Sequence, residues 1–224
     1  MARLIVDKLS YSVPRRKILD DVSFMVDKGE SVAVAGPSGS GKSTLLMCLL
    51  GLLEPNAGSI YVDGEDIIGM SRHNKVELRR KKLGMVFQFG ELLPELTPVE
   101  NVALPGLLAG KGRATAYKQA QELLERLAVP ADETPTSLLS GGERQRTAVA
   151  RALVTQPSVM LADEPTGALD AKAREEVADL LFNLAREHQC AMVVVTHDLT
   201  VARRANRQFR LESARLTEVA VSAR

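Results

Sequence analysis

The 224-residue sequence predicts an α/β fold in which a parallel-sheet core carries a small antiparallel β subdomain and an inserted helical subdomain. Three observations carry that expectation. A short β-branched run, Ser31 to Ala35 (SVAVA), is followed by a glycine-rich loop and then by an apolar helix over Thr44 to Leu53. After Pro157, strand-like runs alternate with helical ones, the order that gives a parallel sheet with ligand chemistry at the carboxyl ends of its strands. Between these two parts, from about 89 to 156, the pattern is mainly helical and reads as an insertion into the core.

Taken in order, Leu4 to Val6, Ser10 to Val13 and Ser23 to Val26 alternate or cluster as strands, broken at Pro14 and Gly29. Gly58 to Asp63 (GSIYVD), closed by Gly64, adds a strand and turn to the same antiparallel sheet. Ser71 to Lys82 is densely charged, with Arg79, Arg80, Lys81 and Lys82 consecutive, and reads as a solvated helix face. Leu83 to Gln88 (LGMVFQ) is a core strand ending in a polar residue. Pro94, Pro98 and Pro105 argue for an irregular connection over Phe89 to Pro105. Tyr117, Ala120, Leu123, Leu124 and Leu127 recur at helical spacing, so Ala114 to Ala128 is an amphipathic helix. A loop from Pro130 to Thr136 leads into Leu139 to Thr155, where Ser140 can cap a helix that stops before Pro157. Val159 to Ala162 is then a strand ending at Asp163 and Glu164, Ala171 to Glu187 an amphipathic helix, and Ala191 to Thr196 a strand ending at His197.

Charges nearly cancel, 29 basic against 28 acidic for a formal net of +1, so no global field draws the chain to nucleic acid or to an anionic membrane. By length it is one domain or two closely joined ones. Cys48 and Cys190 lie in apolar surroundings without CxxC or CxxH spacing, which predicts reduced core thiols rather than a disulfide or metal site, as in a cytosolic protein. Leu45 to Leu53, the most apolar stretch, is too short to span a bilayer. Met1 to Tyr11 alternates charged and apolar residues and is neither signal peptide nor anchor. Work at a membrane would need another chain to hold this one there.

Gly36 to Thr44 read GPSGSGKST and fit the spacing G-x-x-x-x-G-K-[ST]. In such a loop, here Gly36, Ser38, Gly39, Ser40 and Gly41, successive backbone N–H groups point inward at phosphate oxygens. The four fixed positions match by chance in about one chain of this length in a hundred, and the strand before and helix after narrow that further. Lys42 would reach the outer phosphates as a point charge, Ser43 would ligate Mg²⁺, and Thr44 would donate to an inner phosphate. The alternative is a glycine-rich turn that binds nothing.

Asp163 at its strand end can hold Mg²⁺ through the ion's water shell, while Glu164 can orient and deprotonate an attacking water; alone, the pair equally suits an exposed acidic turn before Pro165. His197 is either a structural histidine or a donor that senses a γ-phosphate and fixes the water. Gln88, a neutral amide, could touch both Mg²⁺ and water, and its place at the join to the helical insert would let nucleotide state move that insert. Tyr11 either packs within the first sheet or stacks on adenine. In Leu139 to Glu143 (LSGGE), Ser140, Gly141 and Gly142 offer a hydroxyl, close backbone approach and the positive end of a helix, which make either an ordinary capped helix start or a second anion site. Having one phosphate cradle already, the chain could use a second only with a partner.

The phosphate loop, the glutamine of VFQ, LSGGERQR, VMLADEPTGALD and VVVTHD, in this order, resemble the ATP-binding subunits of ABC transporters over nearly the whole chain. The resemblance implies a single P-loop NTPase domain of the ABC ATPase type, with 1–88 and 157–224 as nucleotide-binding core and β subdomain and 89–156 as helical subdomain. It implies ATP and Mg²⁺, with Ser43, Gln88 and Asp163 at the metal, Glu164 as catalytic base beside His197 and Gln88, and Tyr11 on adenine. It also implies an ATP-dependent head-to-tail homodimer, in which Ser140, Gly141, Gly142 and Glu143 of one subunit close on the ATP of the other and Ala168 to Asp170 cross between sites.

FQFGELLPELTPVENVALP and DEPTGALD further resemble the group of macrolide exporters, lipoprotein-release ATPases, haem-efflux ATPases and cell-division ATPases. That likeness implies an integral membrane permease as partner, reached near Phe89 to Pro94, and a place on the cytoplasmic face of the membrane. Haem, a hydrophobic drug or a lipidated molecule are the candidate cargoes, haem being preferred on overall likeness; regulation of a cell-wall hydrolase without transport is the alternative. Glu143 stands where many relatives have glutamine. With 27 residues after His197, the regulatory carboxyl-terminal domain of sugar-importer relatives is not expected.

Overall fold

Alternating apolar and polar residues build two long antiparallel strands, β1 (Ala2–Val13) and β2 (Arg16–Asp27), in the computed structural model, which describes residues 2–131 and 134–219. The two runs expected within the first of these are one strand, continuous across register shifts between Val6 and Ser12. β4 (Ala57–Val62) pairs with β1, and β5 (Glu65–Asp66) with β4, giving an antiparallel sheet in the order β2-β1-β4-β5.

The second sheet has the order β10-β9-β3-β8-β7-β6. Its strands β3 (Ser31–Ala35), β6 (Leu83–Val86), β7 (Val159–Asp163), β8 (Ala191–Thr196) and β9 (Arg207–Glu212) are parallel, and β10 (Arg215–Val219) returns antiparallel to β9. Neither β9 nor β10 is anticipated by the sequence reading, and the strand expected to reach Gln88 ends at Val86.

Because both faces of the parallel sheet are covered, its strands are buried almost throughout and alternate residues serve two cores. Val159, Leu161, Val193 and Val195 join Leu45, Leu46 and Leu49 of α1 (Lys42–Leu49) and the buried face of the antiparallel sheet. Met160, Ala162, Met192 and Val194 face α5 (Gly141–Leu153) and α6 (Ala171–Glu187), with α3 (Pro98–Leu108) and α4 (Arg113–Arg126) packed outside. Each fully buried aliphatic side chain contributes about 1.5 to 3 kcal/mol. Cys48 and Cys190 are free and buried, and burial pushes both thiols up to about 11. α2 (Arg72–Lys82) buries only Leu78, in keeping with a solvated face. α7 (Leu199–Ala202) is a single turn after β8.

Two expectations need correction. The phosphate-loop helix ends at Leu49, not Leu53, where Gly51 takes φ +64 and turns the chain away. The stretch expected to be irregular up to Pro105 is helical from Pro98 onward. Pro98 occupies the first helical position, where a missing N–H costs nothing, and Thr97 with Glu100 forms a capping box in front of it. Pro105 lies inside the helix and is tolerated there, although it cannot donate to the carbonyl four residues back. Residues 132 and 133 of the expected 130–136 loop lie outside the described residues.

Candidate functional site

Register between neighbouring strands gathers the site. Asp163 pairs with Val195 and Ala35 with Thr196, so Glu164, Thr196 and the start of the phosphate loop leave the sheet at the same edge. Gly41 has φ +107, and a Cβ there would stand 2.8 Å from the Ile18 carbonyl, so no other residue fits the turn into α1. No side chain caps α1 and its first turn carries no acid, which leaves its N–H groups and positive end directed at the loop. Lys42, only 8% exposed, donates from Nζ to the carbonyls of Gly36 (2.8 Å) and Pro37 (3.1 Å). Arg16 donates to Gly39 O at 2.8 Å and steadies the loop from β2.

Glu164 follows with φ +45, a left-handed conformation uncommon outside glycine. Its N–H still bonds Val195 O at 2.9 Å, and the turn sends its carboxylate back across β8. There it accepts from Thr196 Oγ1 (3.0 Å), from the His197 N–H (3.0 and 3.2 Å to its two oxygens) and from His197 Nδ1 (2.8 Å). An ionised carboxylate can only accept, so the shared proton sits on Nδ1 and Nε2 is the free pole of the ring. The Glu164 side chain is 14% exposed and that of His197 67%.

Burial, with the neighbouring Glu164 charge, pushes the Asp163 carboxyl above the usual carboxylate range, against a hydrogen bond from Ser43 and the charge of Lys42. A buried acid beside a second carboxylate and a serine hydroxyl offers hard oxygen donors that suit Mg²⁺. Among the described residues no three His, Cys, Asp or Glu side chains cluster as metal ligands. A cation at Ser43 and Asp163 must therefore take its other ligands from phosphate, water or a neutral amide, which is the habit of Mg²⁺.

These groups line a cleft of about 610 Å³ that brings together Ser38, Gly39, Gly41 to Thr44, Gln88, Asp163, Glu164 and His197. Gln88 reaches Gly167, whose Cβ would lie 3.0 Å from the amide nitrogen. Gly36 acts behind the lining through its carbonyl, and Ser40 Oγ is buried without a hydrogen-bond partner. Tyr11 does not line the cleft; it pairs with Leu19 and packs, partly buried, on the first core.

Ser140, Gly141, Gly142, Glu143 and Asp170 also lie outside the lining. Ser140 and Glu143 form a capping box, Ser140 Oγ accepting from the Glu143 N–H (3.2 Å) and Glu143 Oε2 from the Ser140 N–H (2.8 Å). The Ser140 contacts hold the Glu143 carboxyl below the usual range. A Cβ on Gly141 would touch Leu169 at 3.4 Å, and Asp170 caps α6 through the Ala173 N–H at 2.9 Å, so the LSGGE helix start adjoins the segment around Leu169.

Three contributors escape the sequence reading. Ile18 forms a wall of the cleft, but an aliphatic residue in an alternating strand carries no signal. Arg16 is likewise one of several charges near a turn. Thr196 does carry one, as the only hydroxyl in AMVVVT and the last residue before His197.

Residues 19–167 match the family model described as ABC transporter. The chain is 48% identical over 204 residues to the lipoprotein-releasing system ATP-binding protein LolD of Bordetella pertussis, spanning 90% of this chain and 88% of that one. It is 47% identical over 211 residues to LolD of Xanthomonas oryzae pv. oryzae, spanning 93% and 86%. Among solved structures, the ATP-binding cassette MJ0796, in a dimeric post-hydrolysis state bound to ADP and Pi, matches with a TM-score of 0.87 at 35% identity, over 99% of this chain and 100% of that one.

Proposed function

The chain belongs to the ABC transporter family, as an ATPase subunit that powers a membrane transporter, and from that premise we propose a mechanotransmission-type exporter that extracts a lipidated molecule from the membrane. The observation that carries the catalytic part is the Glu164–His197 contact at 2.8 Å, held at the edge where the phosphate loop begins. In this reading Glu164 takes the proton of the attacking water, and His197 uses Nε2 to hold that water against the γ-phosphate. The N–H groups of Gly36 to Gly41, with Lys42 and Thr44, grip the phosphates; Tyr11 on β1, outside this lining, is kept as the residue that would stack on adenine. Ser43, Asp163 and Gln88 would hold Mg²⁺, which when bound supplies positive charge at the outer phosphates.

Ser140 to Glu143 do not line the cleft of their own chain, and MJ0796 is a dimer by its description. Both facts support an ATP-dependent, head-to-tail homodimer in which LSGGE of one subunit closes the cleft of the other and Asp170 crosses between sites. We take the whole chain as one ATP-binding domain, with 89–156 as the helical subdomain and 1–88 with 157–224 as the core. No helix among the described residues is long and apolar enough to cross a membrane. We propose attachment through a permease at the cytoplasmic face, met by the segment Phe89 to Pro94, of which Phe89 is 66% exposed.

The relatives named for lipoprotein release favour a lipidated cargo over the haem preferred on sequence likeness. The test is co-purification with candidate membrane permeases from the same cell, followed by ATPase assays of the complex in lipid nanodiscs. Acylated peptide should stimulate hydrolysis and haem should not; stimulation by haem alone would overturn the cargo assignment.

A further inference from the structure

The turn between β1 and β2 carries a row of cations beside the phosphate loop. Val13 pairs with Arg16, which leaves Pro14 and Arg15 as the two corner residues. Proline at the first corner and φ +70 at the second are the marks of a type II turn, so the tip is stiff. Arg15, Arg16 and Lys17 follow one another there, all exposed. Lys17 pairs with Asp20 at 2.9 Å, and Arg215 approaches the same carboxylate at 3.8 Å. Arg15 and Arg16 have no carboxylate partner among the described residues. Arg16 nonetheless has a fixed place: its Nη2 bond to Gly39 O holds the guanidinium on the rim of the nucleotide cleft, with the rest of its donor fork unused.

At the start of α5 the charge is opposite and equally fixed. Glu143 Oε2 accepts from the Ser140 N–H at 2.8 Å within the capping box. Neither nearby arginine pairs with this carboxylate among the described residues: Arg144 turns to Leu139 O, and Arg146 adds only its charge. A carboxylate with two oxygens has acceptor capacity left for a guanidinium. Glu143 moves with Ser140, so wherever the helix start meets ATP it brings a negative charge toward a triphosphate of the same sign, which a glutamine there would not do. Lys42 cannot offset that charge, being 8% exposed and engaged by the carbonyls of Gly36 and Pro37. Arg16 can. We propose, on the reading that LSGGE of one copy closes the cleft of the other, that Arg16 forms an ion pair with the partner's Glu143, which makes the β1–β2 tip part of the dimer surface. Two-fold symmetry forms the pair twice per dimer. Because Arg16 also holds Gly39 O, one guanidinium then ties the phosphate loop to the second copy.

The test uses the full chain with Glu164→Gln, which retains ATP, as the parent. To it are added Arg16→Gln, Glu143→Gln and both together; glutamine at 143 preserves the capping box. Dimer dissociation constants are measured by sedimentation at saturating Mg-ATP in about 50 and 300 mM NaCl, with monomer ATP affinity taken from fluorescence titration at low protein concentration. An exposed ion pair changes an equilibrium by a few fold, so with two per dimer either single change should weaken dimerisation about tenfold at low salt, with monomer ATP affinity within about twofold of the parent. The double variant should be no weaker than either single one. All three differences from the parent should shrink at high salt. Arg16→Lys, which keeps the charge without the fork, should lose less than Arg16→Gln. Effects that multiply in the double variant would overturn the proposal. So would a Glu143→Gln dimer at least as tight as the parent's, or an Arg16→Gln variant whose only defect is weaker ATP binding by the monomer. A parent that does not dimerise with Mg-ATP would instead overturn the underlying reading of LSGGE, and the ion pair with it.

Discussion

Glu164→Gln separates the fold from the chemistry at this site. The carboxylate accepts from Thr196 Oγ1, the His197 N–H and His197 Nδ1, and the amide is nearly isosteric with it. Its oxygen can keep both His197 contacts, and its NH₂ then faces the Thr196 hydroxyl, which can accept as well as donate. That hydroxyl already accepts from the Asp198 N–H at 3.0 Å, so it can accept from the amide too, but its own O–H loses the acceptor it had in the carboxylate and one donor is left unpaired. The folding cost is about 1 kcal/mol. The amide cannot take a proton from water, and loss of a general base slows a reaction by about a hundred- to ten-thousand-fold, or roughly 3 to 5 kcal/mol of activation free energy. Phosphate release under saturating Mg-ATP should drop by that factor. Nucleotide affinity should be kept, and size-exclusion chromatography with ATP should show a dimer that wild type does not accumulate. Hydrolysis within threefold of wild type would remove Glu164 from the base role. A slow enzyme whose unfolding midpoint had also collapsed would mean that the carboxylate is structural.

Ser140→Trp should abolish hydrolysis and leave monomer ATP binding intact, measured by fluorescence titration at low protein concentration; loss of monomer binding would show that the serine acts within its own subunit. For Asp163→Asn the sign follows from the raised carboxyl, whose ionisation opposes folding. The penalty is absent at low pH, where the residue is protonated folded and unfolded, and is complete once pH exceeds the folded-state value. The variant should therefore unfold at a higher temperature than wild type at pH 7 in EDTA, with the gap closing toward pH 4, while losing Mg²⁺-dependent hydrolysis; a lower midpoint at pH 7 would contradict the burial argument. The two residues between β9 and β10, Ser213 and Ala214, have φ +50 and +66, which Asn and Gly adopt with less strain. Ser213→Asn with Ala214→Gly should stabilise by about 1 kcal/mol, a rise of about 2 to 4 °C in scanning calorimetry with activity unchanged.

What could be read from the sequence follows burial. The runs at 31–35, 159–162 and 191–196 are buried on both faces, so an unbroken apolar stretch marks them, and α6 is delimited by its own amphipathic pattern. β9 and β10 escape because RQFRLE and RLTEV alternate charges with single apolar residues, which looks like surface when taken locally. α3 escapes because three prolines outvote a capping box, although one proline sits where helices accept it. At the site, the strand-end rule places Asp163, Glu164 and His197 at one edge, but which atoms meet depends on register and on the left-handed turn at Glu164. Ile18 and the bonds of Gln145 to Phe87 O and of Arg151 to Gly90 O depend on contacts across 23 to 61 positions, which no local pattern encodes.

β3 lies between β8 and β9 in the sheet, and Ser31 also bonds Asn206 through its N–H and its hydroxyl. During synthesis the phosphate loop therefore emerges long before either flank of the strand that supports it. At about 5 to 20 residues per second, the ribosome needs roughly 10 to 35 s between Ser31 and the end of β9. Through that interval SVAVA is an unpaired, apolar strand, and a nascent chain carrying the most recognisable motif of the protein cannot yet grip a nucleotide. The antiparallel sheet and α1 can form early from neighbouring sequence, but competence waits for the last parallel strand. Emergence of β9, rather than appearance of the loop, starts the working life of this ATPase.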